Sequence, residues 1–231
     1  QMRKDRLGWI GLLNLIASLA STLGHVPPGF RQVQLPLAAT YEARHELESK
    51  MRKNQRKLEM QYSFTSLRGG QLRRMPGPAD YPACARLMTM AQQQFEINES
   101  VCRPELIQVM VRQYFPGKGL RLHADSEEYF QEPVLAVILR TGGPSDGLRL
   151  RPLAASAEEV RVTETDGLAL CFEESARYLW GHEVPQVSER RLSITWRWFR
   201  EDYLQCAFSH MLGAETKNAL LHFVCQGSVG R

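Results

Sequence analysis

The second half of the chain is divided into short apolar segments by turn residues, and this pattern constrains the fold most strongly. After Pro104, runs rich in Val, Ile, Leu and Phe alternate with Gly, Pro and Asp. Segments of this length and spacing are typical of strands in a sandwich or barrel. We predict strands at Leu106–Tyr114, Leu120–His123, Val134–Leu139, Leu148–Arg151, Val160–Val162, Leu168–Phe172 and Arg191–Phe199.

The first hundred residues show mainly helical periodicity. A short strand is predicted from Phe30 to Leu37, followed by an amphipathic helix from Tyr41 to Tyr62 and a second helix that begins near Asp80. A further amphipathic segment from Asp202 to Phe223 is expected to cover the sheet. We therefore predict an α+β, mainly β protein, with an N-terminal helical extension (1–100), a β-rich core (101–200) and a C-terminal helical extension (201–231).

Composition is ordinary for one globular domain. The 231 residues are 43% hydrophobic and 23% charged, and the five cysteines are scattered without a Cys-x-x-Cys pair. This argues against a disulfide scaffold or a zinc finger and favours a reducing, intracellular environment, whose compartment is left open among nucleus, cytoplasm and organelle.

The two ends of the chain carry further signals. A basic start followed by apolar residues 7–23 resembles a signal peptide, but polar residues interrupt this stretch and it is short for a membrane span. We expect a packed helix there, no membrane partner and a monomer. The first residue, Gln, and the closing Ser-Val-Gly-Arg suggest a fragment of a longer protein.

Positive charge is concentrated at the N-terminal side. Residues 1–75 contain 13 Lys and Arg against 5 Asp and Glu, whereas the remainder has 16 against 20. This asymmetry indicates either a polyanionic partner or a solvated helix face.

Three residues have the composition of an open metal site. His123 and Asp125 are two positions apart, so a strand directs both side chains to the same side, and His182 follows at a distance. Two histidines and one carboxylate form the facial triad of oxygen-activating iron enzymes, which leaves adjacent coordination positions vacant. Each histidine alone is better explained as a hydrogen-bonded strand residue than as a metal ligand.

Two arginines complete the pattern. Arg191 and Arg197 share one face of a predicted strand, with their backbones roughly 20 Å apart. Inward-directed guanidinium groups at this spacing would bracket a small diacid and bind its carboxylates. Without the metal residues, the same pair would indicate a surface that binds phosphate or acidic partners.

Together these segments resemble the AlkB-like family of Fe(II)- and 2-oxoglutarate-dependent dioxygenases, over about residues 60–200. The family's Asn-x-Tyr-x-x-Gly-x-x-Leu-x-x-His-x-Asp segment is similar to the sequence from Arg112 to Asp125, and its closing Arg-x-Ser-Ile-Thr-x-Arg strand is similar to the sequence from Arg191 to Arg197. The resemblance implies a double-stranded β-helix, or jelly roll, as the catalytic core (101–200), with a substrate-recognition segment within residues 1–100.

The resemblance also implies roles for individual residues. The iron ligands and catalytic residues would be His123, Asp125 and His182, with Tyr114, Arg191 and Arg197 around 2-oxoglutarate. Arg191 would bind its distal carboxylate, and Arg197 would lie near the carboxylate that chelates iron. Arg112 replaces the family's cosubstrate-binding Asn and either adds a carboxylate contact or obstructs the usual one. The expected substrate contacts are Glu127, Tyr62, Phe64, Arg68 and Arg73.

The implied activity is oxidative demethylation of N-alkylated bases in DNA or RNA, with Fe(II), 2-oxoglutarate and O2. A base in a duplex would have to be flipped out to reach the metal. Two alternatives remain open: a 2-oxoglutarate-dependent hydroxylase of a protein or of a base methyl carbon, and a non-catalytic nucleic-acid-binding jelly-roll module.

Overall fold

A computed structural model describes residues 26–61, 65–68, 71–74, 78–143, 147–154 and 158–203. The predicted helix at residues 7–23 and most of the segment predicted from Asp202 to Phe223 lie outside this part of the chain. The strands are β1 (Phe30–Gln34), β2 (Lys57–Gln61), β3 (Thr65–Arg68), β4 (Gln71–Arg74), β5 (Ile107–Tyr114), β6 (Leu120–His123), β7 (Phe130–Arg140), β8 (Gly147–Pro152), β9 (Val160–Thr163), β10 (Leu168–Phe172), β11 (Trp180–Val184) and β12 (Arg191–Phe199).

The last eight strands of the chain pair in nested order, the first with the last and so on to the central two. Strand β5 pairs with β12, β6 with β11, β7 with β10 and β8 with β9, all antiparallel. Further pairings of β7 with β12 and of β8 with β11 join them into two sheets, whose strand orders are β1, β10, β7, β12, β5, β2 and β6, β11, β8, β9. This nested pairing defines a jelly roll and confirms the predicted fold class.

Two helices pack on the outer face of the larger sheet. Helices α1 (Leu37–Lys50) and α2 (Pro82–Gln94) precede the jelly roll, and a short helix, α3 (Glu174–Tyr178), leads into β11. Leu47 of α1 and Leu87 of α2 are fully buried in one core with Leu135, Ile194 and Trp196 of the sheet. In the part of the chain that the structure describes, no helix is both long and apolar enough to cross a membrane.

The predicted helix from Tyr41 to Tyr62 is wrong in its second half. Helix α1 ends at Lys50, and the chain turns and re-enters as β2, which pairs with β5 from Lys57 opposite Arg112 to Gln61 opposite Gln108. Leu58 fits the helical spacing, but Leu58 and Met60 together fit the two-residue repeat of a strand. Pairing with the edge of β5, which completes backbone hydrogen bonds along that strand, decides between them.

Candidate active site

The inner faces of the two sheets line a cavity of about 60 Å³, several times the roughly 10–15 Å³ that one water molecule requires. Alternation along β12 directs Arg191, Ser193, Thr195 and Arg197 into it, while the intervening residues, Leu192, Ile194, Trp196 and Trp198, join the core under the helices. The apolar half of β12 therefore anchors the strand and fixes the positions of its two arginines.

Two histidines lie side by side at the cavity. His123 on β6 is directly opposite His182 on β11, and their ring centroids are 4.3 Å apart. The Nδ1 atom of His123 is 3.0 Å from the carbonyl oxygen of Arg121. When this nitrogen carries the proton and donates to that carbonyl, Nε2 retains a lone pair for a metal.

The Asp125 carboxylate is also buried at this end of the cavity. It forms an ion pair with Arg197, and the side chains are 7% and 13% exposed. Arg177 holds the backbone of the same loop, since its guanidinium donates to the carbonyl oxygens of Asp125 at 2.6 Å and Ser126 at 3.0 Å. Sequence reasoning missed Arg177, because an arginine in a five-residue helix has no local signal.

Charge and burial fix the protonation states. Burial alone would raise the pKa of Asp125, but the Arg197 guanidinium, assisted by His182, outweighs it and lowers the pKa below its usual value. Burial lowers the pKa of His182 to about 4, although Asp125 opposes this shift. At neutral pH the site therefore offers a carboxylate and a neutral imidazole, which are the forms that bind metal.

Acid should destabilise the metal-free protein through His182. An unfolded histidine titrates near pH 6.5, whereas the folded pKa of His182 is about 4. Between these values the unfolded state binds more protons, so the free energy of unfolding should fall by about 3 kcal/mol as the pH falls from 7 to 4. The free energy of unfolding, measured with urea in EDTA, should depend less on pH in His182→Leu than in wild type. The control, His45→Leu, changes an exposed histidine and should behave as wild type does. The same pH dependence in all three proteins would contradict this prediction.

A buried ion pair occupies the side of the cavity where β12 begins. Arg191 donates to both carboxylate oxygens of Glu164, at 2.7 and 2.6 Å, and to the hydroxyl of Ser193 at 3.0 Å. Its guanidinium carbon lies 5.2 Å from the centroid of the Tyr114 ring. Glu164 was not anticipated, because it follows β9 in a polar turn that carries no sign of a buried partner.

Arg112 also lines this cavity, from β5, where it stands opposite Ser193 of β12. Burial raises the pKa of Tyr114, while the nearby charges of Arg191 and Arg112 act in the opposite direction. Both guanidinium groups are therefore close enough to influence the Tyr114 hydroxyl. The residues predicted to surround a cosubstrate, Tyr114, Arg112, Arg191 and Arg197, all line one cavity together with His123, Asp125 and His182.

The predicted substrate contacts are not assembled in the same way. Glu127 is exposed, in a surface depression with Tyr178 and Arg200. Tyr62 and Phe64 lie outside the described residues. Arg68 and Arg73 belong to the paired strands β3 and β4, but their side chains are not among those described.

The donor atoms fit an iron site by their chemistry. Two imidazoles and one carboxylate match the ligand set of non-haem iron, and the hydrogen-bonding position of His123 Nδ1 is the usual support for such a ligand. As placed here, with Asp125 paired to Arg197, no three His, Cys, Asp or Glu side chains of the described ranges form a metal-binding group. The buried Nε of Arg197 has no hydrogen-bond partner in these ranges, so it is a donor available to a carboxylate.

Comparison with known proteins gives limited similarity. No family model matches the sequence. An uncharacterised protein, L905, of Acanthamoeba polyphaga mimivirus is 27% identical over 101 residues, which are 39% of this chain and 47% of that protein. The chain thus spans about half the length of this curated relative. A solved prolyl-4-hydroxylase of Pseudomonas putida has a TM-score of 0.49 and 22% identity, over 75% of this chain and 86% of that chain.

Proposed function

We propose that the chain is an Fe(II)- and 2-oxoglutarate-dependent dioxygenase. The observation that carries this proposal is the convergence of His123, His182 and Asp125 on one cavity that also contains the guanidinium groups of Arg112 and Arg197. Imidazole and carboxylate donors suit iron, and the guanidinium groups suit an organic diacid. The cavity lies between the two sheets of the jelly roll.

The position of each residue in the cavity suggests a separate role for it. His123, His182 and Asp125 would hold the metal, and Arg177 would keep Asp125 in place through its backbone carbonyl. Arg197 keeps Asp125 ionised. Its Nε has no hydrogen-bond partner among the described residues, so Arg197 can also bind the cosubstrate carboxylate nearest the metal. Fe(II) with 2-oxoglutarate and O2 supplies an oxidant for C–H bonds, with succinate and CO2 as products. The protein's own task is to position the substrate carbon and to exclude other reductants.

For the substrate we propose an N-alkylated base in DNA or RNA. The motif resemblance to AlkB-like enzymes supports this choice, as does the basic excess of residues 1–75. Glu127 is exposed two residues beyond Asp125, where it can meet a flipped-out base. Oxidation of the N-methyl carbon gives an unstable hydroxymethyl amine, which releases formaldehyde and leaves the unmodified base.

The substrate class can be tested by mass spectrometry. Methylated oligonucleotides and a peptide library are incubated with Fe(II), 2-oxoglutarate and O2, using wild type and His123→Ala. We expect loss of a methyl group and release of formaldehyde from an oligonucleotide with wild type alone. Gain of an oxygen with retention of the carbon, on a base or a peptide, would identify a hydroxylase instead. Equal activity of the two proteins would rule out the proposed metal site.

A further inference from the structure

The arginines of the cavity differ in what they already bind. Arg191 is held by both oxygens of Glu164, and Arg197 by Asp125. Arg112 forms no hydrogen bond or ion pair with any residue that the structure describes, although it lines the same cavity. A guanidinium group beside a cavity, with no carboxylate partner among the described residues, is a strong local attractant for an anion.

The Arg191–Glu164 pair is poorly suited to binding a second carboxylate. Its side chains are 3% and 0% exposed, and Ser193 binds a further nitrogen of Arg191. A ligand carboxylate at Arg191 would meet a guanidinium group whose charge Glu164 already neutralises, and displacing Glu164 would leave that carboxylate buried without its partner. Such a charge is costly to bury.

Arg112 stands in a suitable position for the same task. It shares the cavity-facing side of β5 with Tyr114, two residues away, and faces β12 opposite Ser193. His123, His182 and Asp125 lie on other strands of the cavity wall or the loop after β6. Arg112 and Tyr114 stand opposite Ser193 and Arg191, toward the end of β12 away from Arg197 and its partner Asp125. A diacid held by one end at the metal residues would therefore have its other carboxylate available to this wall.

We propose that Arg112, rather than Arg191, binds the distal carboxylate of the cosubstrate. The Arg191–Glu164 pair then serves as a fixed, neutral support that positions Tyr114 beside it. This inference rests on the proposed function, because it concerns the same cavity and the same diacid. It changes Arg112 from a possible obstruction into the residue that distinguishes a diacid from a monoacid.

The test compares two ligands that differ only at the distal end. Binding of 2-oxoglutarate and of 2-oxopentanoate, which has a methyl group in place of the distal carboxylate, is measured calorimetrically on the Mn(II)-loaded protein without turnover. In wild type we expect 2-oxoglutarate to bind about 10- to 100-fold more tightly, as for one charge-assisted contact. In Arg112→Met this ratio should fall to near one, and in Arg112→Lys it should remain above that of Arg112→Met.

The matched control is Lys57→Met. Lys57 stands opposite Arg112 on β2 with its side chain 50% exposed, so the change removes a nearby positive charge without touching the cavity. It should leave the ligand ratio unchanged. If folded Arg112→Met kept the wild-type preference for 2-oxoglutarate over 2-oxopentanoate, the role of Arg112 would be overturned and the proposed function would stand. Failure of wild type to bind 2-oxoglutarate in a metal-dependent way would overturn the proposed function, and the inference with it.

Discussion

Replacing His182 by alanine should abolish 2-oxoglutarate turnover. The imidazole is neutral at pH 7 and faces His123 across paired strands, so its removal would delete one of the three proposed metal donors. Changes to residues that only orient a metal ligand already cost about 10- to 100-fold, and loss of a ligand itself should reduce Fe(II)-dependent succinate formation by at least about 100-fold. Succinate is measured by chromatography at saturating 2-oxoglutarate.

His45→Ala is the matched control for this experiment. His45 is exposed on α1, far along the chain from the cavity residues, and its loss should leave both turnover and metal affinity unchanged. Mn(II) affinity measured on the same preparations separates loss of the metal from loss of chemistry. Full succinate formation by folded His182→Ala would remove His182 from the proposed ligand set.

Breaking the buried Arg191–Glu164 pair should lower the free energy of unfolding far more than breaking an exposed ion pair. Both side chains are almost completely buried, so removing one partner leaves an uncompensated charge in the interior. We expect Glu164→Leu and Arg191→Leu each to lower the free energy of unfolding by about 3–5 kcal/mol. The double replacement should recover most of this loss, because neither charge of the pair is then left buried without its partner. Urea unfolding of the three variants measures the cycle.

A surface pair supplies the comparison. Arg86 and Glu42 form an ion pair at 3.0 Å with side chains 62% and 61% exposed, and Glu42→Ala should cost less than about 1 kcal/mol. If Glu164→Leu were no more costly than Glu42→Ala, Arg191 would be adequately solvated or paired without Glu164. It would then again be a candidate for the distal carboxylate.

Local sequence patterns predicted much of this fold for a simple physical reason. Successive side chains of a strand point to opposite faces of the sheet, so a strand between two different environments shows a two-residue period in its sequence. This period is visible in β12, where small and charged residues alternate with Leu192, Ile194, Trp196 and Trp198. The same period placed Arg191 and Arg197 on one face. It did not reveal β11, because Trp180–Val184 is short and contains a glycine and two polar residues that resemble a loop.

What the sequence could not supply was the partner of each polar residue. Glu164 meets Arg191 across 27 positions and Arg177 meets Asp125 across 52, and neither contact leaves a periodic trace. These contacts depend on the nested strand pairing, which brings distant segments together only in the folded chain. They alter the expected chemistry most at Arg191, whose guanidinium group the strand pattern alone presented as open to a ligand.

Anaerobic titration of the protein with Fe(II) and 2-oxoglutarate, followed by admission of air, tests the central claim most directly. The account predicts stoichiometric binding of 2-oxoglutarate that depends on the metal, and succinate formation once O2 is present, with both lost in His123→Ala. Metal-independent binding, or the absence of succinate from wild type supplied with Fe(II), 2-oxoglutarate and O2, would contradict the assignment of this cavity as a dioxygenase site.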